Sequence, residues 1–192
     1  MTPAEYFHRL QIPYHIGKEH PALEQLALTL LRQSPRKHVL ELGYQAGGFA
    51  FPLIAALKTT STFVYCGVDS LAYPNAVPRE AMHAYLFETH KIGLPQVCFY
   101  RTAVRSFLRD SVVYPFDLVL LDHAKRDYVI DLWWLLHRGW VAPHGTILIH
   151  DVLGKAKGLI AWSCRMLAAW YGYSWTVDAD VPEGVAVLRR KA

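Results

Sequence analysis

The sequence predicts an α/β fold: a doubly wound sheet of seven strands, mostly parallel, that closes with a C-terminal antiparallel hairpin. Three observations carry this prediction. Five short apolar runs rich in β-branched residues alternate with stretches of helical periodicity, the pattern of repeated strand–helix–strand units. The run Phe116-Asp-Leu-Val-Leu-Leu121 is almost continuously apolar, so it needs cover on both faces, as a parallel strand between two helical layers has. The last two runs are joined only by Val181-Pro-Glu-Gly184, too short for a crossover helix, which makes that pair antiparallel. With 192 residues, 53% of them hydrophobic, the chain suffices for one buried core and not for two ordinary domains, so one domain over 1–192 is expected.

In chain order, residues 1–20 are irregular and aromatic, with Tyr6, Phe7 and Tyr14 and with prolines at Pro3 and Pro13. They are expected to form a short helix and a loop, either packing their aromatics on the domain or folding across the substrate site. Pro21 opens a helix through Arg32 with a broad leucine face, which Ser34-Pro35 ends. The first strand, His38 to Leu42, runs into a glycine turn, and Phe49 to Leu57 restores a helical pattern. Thr62 to Val68 is the second strand and Pro78 to Lys91 the next helix, stopped by Gly93 and Pro95. Gln96 to Tyr100 is the third strand, followed by a short helix from Val104 to Arg109. After the fourth strand, Asp127 to His137 is helical, and Gly139 with Pro143-His-Gly145 forms the return to a fifth strand at Gly145 to Asp151. A helix from Lys155 to Trp170 leads to the hairpin strands Tyr173 to Ala179 and Gly184 to Arg190.

The ligand is suggested by the first turn, Glu41-x-Gly43-x-x-x-Gly47. Its glycines permit positive φ and close backbone approach, and the free amides at the sheet's carboxyl edge face whatever binds there. A carboxylate beside that turn repels phosphate and attracts ammonium and sulfonium charges, so the pattern suits S-adenosylmethionine better than a dinucleotide. It also lacks the spacing of the dinucleotide fingerprint and of a P-loop. Asp69, at the tip of the second strand, is placed to accept both ribose hydroxyls, and Thr102 after the third strand lies where an adenine edge would fall. Asp69, Asp122 and Asp151 end three core strands at one edge, and that convergence is the strongest functional signal in the chain.

The stretch Leu121-Asp-His-Ala-Lys-Arg-Asp-Tyr-Val-Ile-Asp131, followed by Gly145-Thr-Ile-Leu-Ile-His-Asp151, resembles the catechol O-methyltransferase-like small-molecule O-methyltransferases. Together with the glycine turn, the resemblance extends to the Rossmann-like class I methyltransferases and covers most of the chain. It implies that Glu41, Gly43, Gly47 and Asp69 hold S-adenosylmethionine, that Asp122 and Asp151 bind a divalent metal such as magnesium, and that Lys125 is the general base. Asp122 and Thr102 join the expected cofactor contacts. Chemically, a phenol of ordinary pKa is a poor nucleophile at neutral pH, and both a hard cation and a lysine of depressed pKa would help to deprotonate it.

Two positions depart from the family pattern. Val152 stands where an asparagine supplies the third metal ligand, and Ala124 where a tryptophan often lines the acceptor site. His123 or His150 would either complete a site for a softer ion such as manganese, iron or zinc, or serve as the base with no metal at all. The expected function is therefore O-methylation of a small hydroxylated, phenolic or catechol-like molecule, with a divalent metal (magnesium or manganese) as an optional helper. The alternatives are methylation of RNA or protein, and a degenerate S-adenosylmethionine-binding module.

The remaining bounds are weaker. A net charge of +4 is spread along the chain, with Arg189-Arg190-Lys191 its only basic cluster, so nucleic acid is not an expected partner. No apolar run approaches bilayer length and no leader is signalled, so the cytoplasm is expected and a membrane is not. Cys66, Cys98 and Cys164 are an odd, scattered set, read as reduced core thiols. Trp133, Trp134 and Trp140 offer aromatic surface for a homodimer, and Asp178 and Asp180 offer contacts to a polar acceptor.

Overall fold

The computed structural model describes residues 1–12, 21–45, 47–59, 62–70, 77–94, 96–153 and 158–191. Helix α1 (Pro3–Arg9) is held by a capping box in which Thr2 and Glu5 exchange side-chain bonds with each other's backbone amides. Its buried Tyr6 and Phe7 pack on Phe51 and Tyr85, so this part of the N-terminal segment packs its aromatics into the core. The rest of the expected lid, residues 13–20, lies outside the described residues. Then follow α2 (Pro21–Arg32), β1 (His38–Leu42), α3 (Ala50–Lys58), β2 (Val64–Asp69), α4 (Arg79–His90) and β3 (Val97–Arg101). The second half comprises α5 (Val104–Asp110), β4 (Phe116–Leu121), a 3-10 turn at Lys125–Asp127, α6 (Tyr128–Arg138), β5 (Val141–His150), α7 (Gly158–Trp170), β6 (Tyr173–Asp178) and β7 (Val185–Arg190).

The seven strands form one sheet in the order β3-β2-β1-β4-β5-β7-β6. The pairs from β3 through β5 are parallel, whereas β7 is antiparallel to both β5 and β6. This is the predicted doubly wound architecture with its closing hairpin. Alternate residues of each strand face opposite layers. Val39, Tyr65, Leu118 and Leu148 join the core shared with α1 to α4, and Leu40, Leu42, Val119 and Ile147 join the core shared with α5 to α7.

One boundary differs from the sequence reading by more than two residues. The fifth strand begins at Val141 instead of Gly145, because Val141 already pairs with Phe116 and the Phe116 amide donates to the Trp140 carbonyl at 2.9 Å. The expected return at Pro143 to Gly145 is a bulge within that strand, with Pro143 and His144 exposed. The helix expected from Lys155 is described from Gly158, and residues 154–157 lie outside the described residues. Trp140 is buried against Phe107 and Phe116, with its indole N–H donating to the Leu108 carbonyl at 3.2 Å. It is a core residue and leaves the set of surface tryptophans.

Candidate active site

The order reversal between β1 and β4 opens a crevice at the carboxyl edge of the sheet, where a doubly wound fold binds its ligand. Gly43 and Asp122 frame it, because their amides cross-link the strand ends: Gly43 donates to the Val68 carbonyl at 2.8 Å and Asp122 to the Leu42 carbonyl at 2.9 Å. The resulting crevice, of about 510 Å³, is lined by Gly43, Asp69, Ser70, Ala103 to Ser106, His123, Ala124, Arg126, Asp127 and Asp131. Larger open grooves lie between α2 and the hairpin and between α4 and β3, and neither contains a carboxylate of this edge.

Gly43 sits at φ +101°, and a side chain there would meet the backbone of Asp122. Asp69 is buried with Oδ2 accepting the Gln45 amide at 3.0 Å, which ties the acidic strand tip to the glycine turn. Gly47 is also at positive φ, but it serves packing, since a β-carbon would strike Phe51 and Met82. Thr102 donates its amide to the Asp69 carbonyl at 2.9 Å, and the residues after it, Ala103 to Ser106, supply the wall in its place.

Glu41 departs most from its expected part. Its side chain turns into the core and accepts a bond from the Tyr65 hydroxyl. Burial pushes its carboxyl up to about 8, opposed by the Tyr65 bond and reinforced by the charges of Asp122 and Asp69. At neutral pH it is a neutral acid held behind the turn, and it is not among the residues that line the crevice. Sequence reasoning missed Tyr65, whose only signal is its place one strand over, in register with Val39.

Around the other expected catalytic residues, charges are paired. Lys125 is ion-paired with Asp151 Oδ2. His150 is 3% exposed, with Nδ1 3.1 Å from Asp122 Oδ1 and Nε2 3.3 Å from the Pro182 carbonyl. Both neighbours are acceptors, so whichever ring nitrogen carries the hydrogen has a partner to donate to. His123 is on the crevice wall, Nε2 lying 3.4 Å from Asp131 Oδ2 without aligning into a hydrogen bond. Burial lowers the His123 pKa and pushes the Asp131 carboxyl up to about 7 against the pull of Arg105.

Asp151 takes φ +66°, a left-handed backbone rarely adopted outside glycine, at the point where β5 delivers it beside Lys125. Beyond that pair a narrow, mostly apolar pocket is lined by Lys125, Tyr128, Ile149, Asp151, Val152, Ile160, Ala161 and Cys164. Tyr128, unassigned from sequence alone, has a buried hydroxyl with no hydrogen-bond partner among the described residues. Asp178 and Asp180 lie instead in the groove with Leu26 and Leu30, and the hairpin reaches the site through Pro182 and through Gly184, whose carbonyl accepts from Val152 at 3.3 Å.

The residues do not fit a resident divalent cation. The two aspartates expected to hold it are already bonded to His150 and Lys125, and the third position is the buried, non-coordinating Val152. Among the described residues no three His, Cys, Asp or Glu side chains gather as a metal set.

No family model matches the sequence, and no curated protein matches it. Solved structures do match. The S-adenosylhomocysteine-bound methyltransferase PaMTH1 of Podospora anserina superposes with a TM-score of 0.67 at 15% identity, over 99% of this chain and 88% of that one. The O-methyltransferase TomG of Streptomyces achromogenes, solved with S-adenosylmethionine, gives 0.65 at 18% over the same shares, 99% and 88%. A putative caffeoyl-CoA O-methyltransferase of Staphylococcus aureus gives 0.64 at 12%, over 98% and 90%. The chain therefore has the class I methyltransferase fold.

Proposed function

We propose that the protein is an S-adenosylmethionine-dependent O-methyltransferase acting on a small hydroxylated molecule, without a resident divalent metal. The observation that carries this reading is the adjacency of two sites: the crevice framed by Gly43 and Asp69, and the Lys125–Asp151 pair at its rim, between the lining residues Ala124 and Arg126. Asp69 suits the ribose hydroxyls and Asp122 faces the cationic end of the cofactor. In the reaction the acceptor oxygen attacks the methyl carbon in line as the carbon–sulfur bond breaks, its electron pair staying on sulfur. The hydroxyl proton passes to the Asp151 carboxylate, and the Lys125 ammonium stays opposite the developing oxyanion, the electrostatic part a metal plays elsewhere.

The test is calorimetric titration of S-adenosylhomocysteine together with turnover on a panel of phenols, with and without chelator. Asp69→Ala is expected to weaken binding by about 1–3 kcal/mol. Lys125→Met is expected to lower turnover by roughly 10²–10³-fold with binding intact, and chelator to leave wild-type turnover unchanged. Absence of S-adenosylhomocysteine binding would overturn the methyltransferase reading. Binding without turnover, insensitive to Lys125→Met, would favour a degenerate binding module, and loss of turnover with chelator would restore the metal.

A further inference from the structure

Helix α7 is apolar on both sides. Its inner face buries Cys164 and Ala168 against α6 and β6, as an outer-layer helix should. Its outer face, where a surface helix normally carries charge, presents Leu159, Trp162, Met166 and Trp170, exposed by 76%, 59%, 53% and 86%. The spacing i, i+3, i+7, i+11 puts all four within one stripe along the helix. Arg165 is the only charged residue in Gly158–Trp170, and it projects beside the stripe instead of within it.

From these observations we infer that the outer face of α7 is a two-fold interface with a second copy of this chain. Side chains of this size carry about 150–250 Å² each, so at the observed exposures the four offer on the order of 500 Å². A stable protein interface takes roughly 800 Å² from each partner, so the stripe supplies more than half of it; it is a contiguous patch in the upper part of the roughly 300–600 Å² range of the largest apolar patch on a monomer, patches of which many are functional. On α6, the helix that packs beside α7, Ile130 is also exposed and Trp133 is half-buried. An antiparallel pairing of two α7 helices about Met166 sets Trp162 of each copy opposite Trp170 of the other and leaves Arg165 at the rim. Chemistry favours self-association over other occupants. With no acidic and one basic side chain, α7 offers a charged partner nothing to pair with, and it lacks the row of cations by which an interfacial helix holds an anionic membrane. The interface leaves the crevice free, since none of the four residues lines it.

Sedimentation equilibrium of the full chain from 1 to 100 µM tests the assignment, with Trp170→Glu and the double variant Trp162→Glu with Met166→Glu alongside. Wild type is expected at twice 21.9 kDa and both variants at 21.9 kDa. Because the altered side chains are exposed, circular dichroism and unfolding temperature should match wild type, which separates lost association from lost folding. A wild type that is monomeric at 100 µM, or a dimer that survives in both folded variants, overturns the inference. A monomer that sediments with vesicles of mixed phosphatidylcholine and phosphatidylserine, in a Trp170-dependent way, overturns it in favour of a membrane surface.

Discussion

Replacing Gly43 by alanine probes the close approach that builds the crevice. A β-carbon placed there would sit 2.7 Å from the Asp122 carbonyl carbon and 2.8 Å from the His123 β-carbon. Neither obstacle can rotate away, since both belong to chain fixed by the 2.9 Å bond from the Asp122 amide to Leu42. Holding alanine at φ +101° adds backbone strain. The strain is worth about 1–2 kcal/mol and the overpacking about 1–3 kcal/mol, so the sum is about 2–5 kcal/mol. For a chain of this length that lowers the melting temperature by roughly 4–20 °C. Gly139 provides the control: it also has positive φ, +74°, but nothing lies within 4 Å of an added β-carbon. Gly139→Ala should carry the strain alone, about 1–2 kcal/mol. Thermal unfolding of the three proteins by circular dichroism measures both parts, and S-adenosylhomocysteine titration of Gly43→Ala should show weaker binding as the strand ends part. A Gly43→Ala protein no less stable than Gly139→Ala, with wild-type affinity, would refute the reasoning.

The buried carboxyl of Glu41 couples stability to pH. Its pKa is about 8 in the fold against an ordinary 4.5, so between those values the native state holds a proton that the unfolded state has lost. Stability should therefore fall as pH rises through that window, by up to about 1.4 kcal/mol per unit; Glu41→Gln should flatten the slope, and urea midpoints from pH 5 to 8 that decline equally in both proteins would count against it. Tyr128→Phe removes a buried hydroxyl that has no partner among the described residues, so it should leave stability unchanged or raise it by about 1 kcal/mol. A loss above 1 kcal/mol in denaturant unfolding would mean that the hydroxyl is satisfied in solution.

Much of this protein was legible in the chain because the signals are local. Strand and helix periodicity, the stops at glycine and proline, and the short link Val181 to Gly184 specify elements whose order and handedness leave few topologies. The carboxylates Asp69, Asp122 and Asp151 could be placed at one edge for the same reason, since each follows an apolar run. The burial of Glu41 was not legible, because a strand residue's direction depends on its neighbours: its side chain turns to the Tyr65 hydroxyl, 24 positions away. Pairing partners are similarly remote. Nothing near Asp122 in sequence announces that His150 will hold it, or that Pro182 will hold the other side of that ring.

The sequence by itself determined the elements, the antiparallel closing hairpin and the acidic edge, because these follow from propensity, pattern and chain connectivity. Only the tertiary structure decided which charges are neutralised, which carboxyl is buried as an acid and which tryptophans meet water. Those outcomes depend on desolvation and on contacts between residues distant in the chain, and no local pattern encodes them.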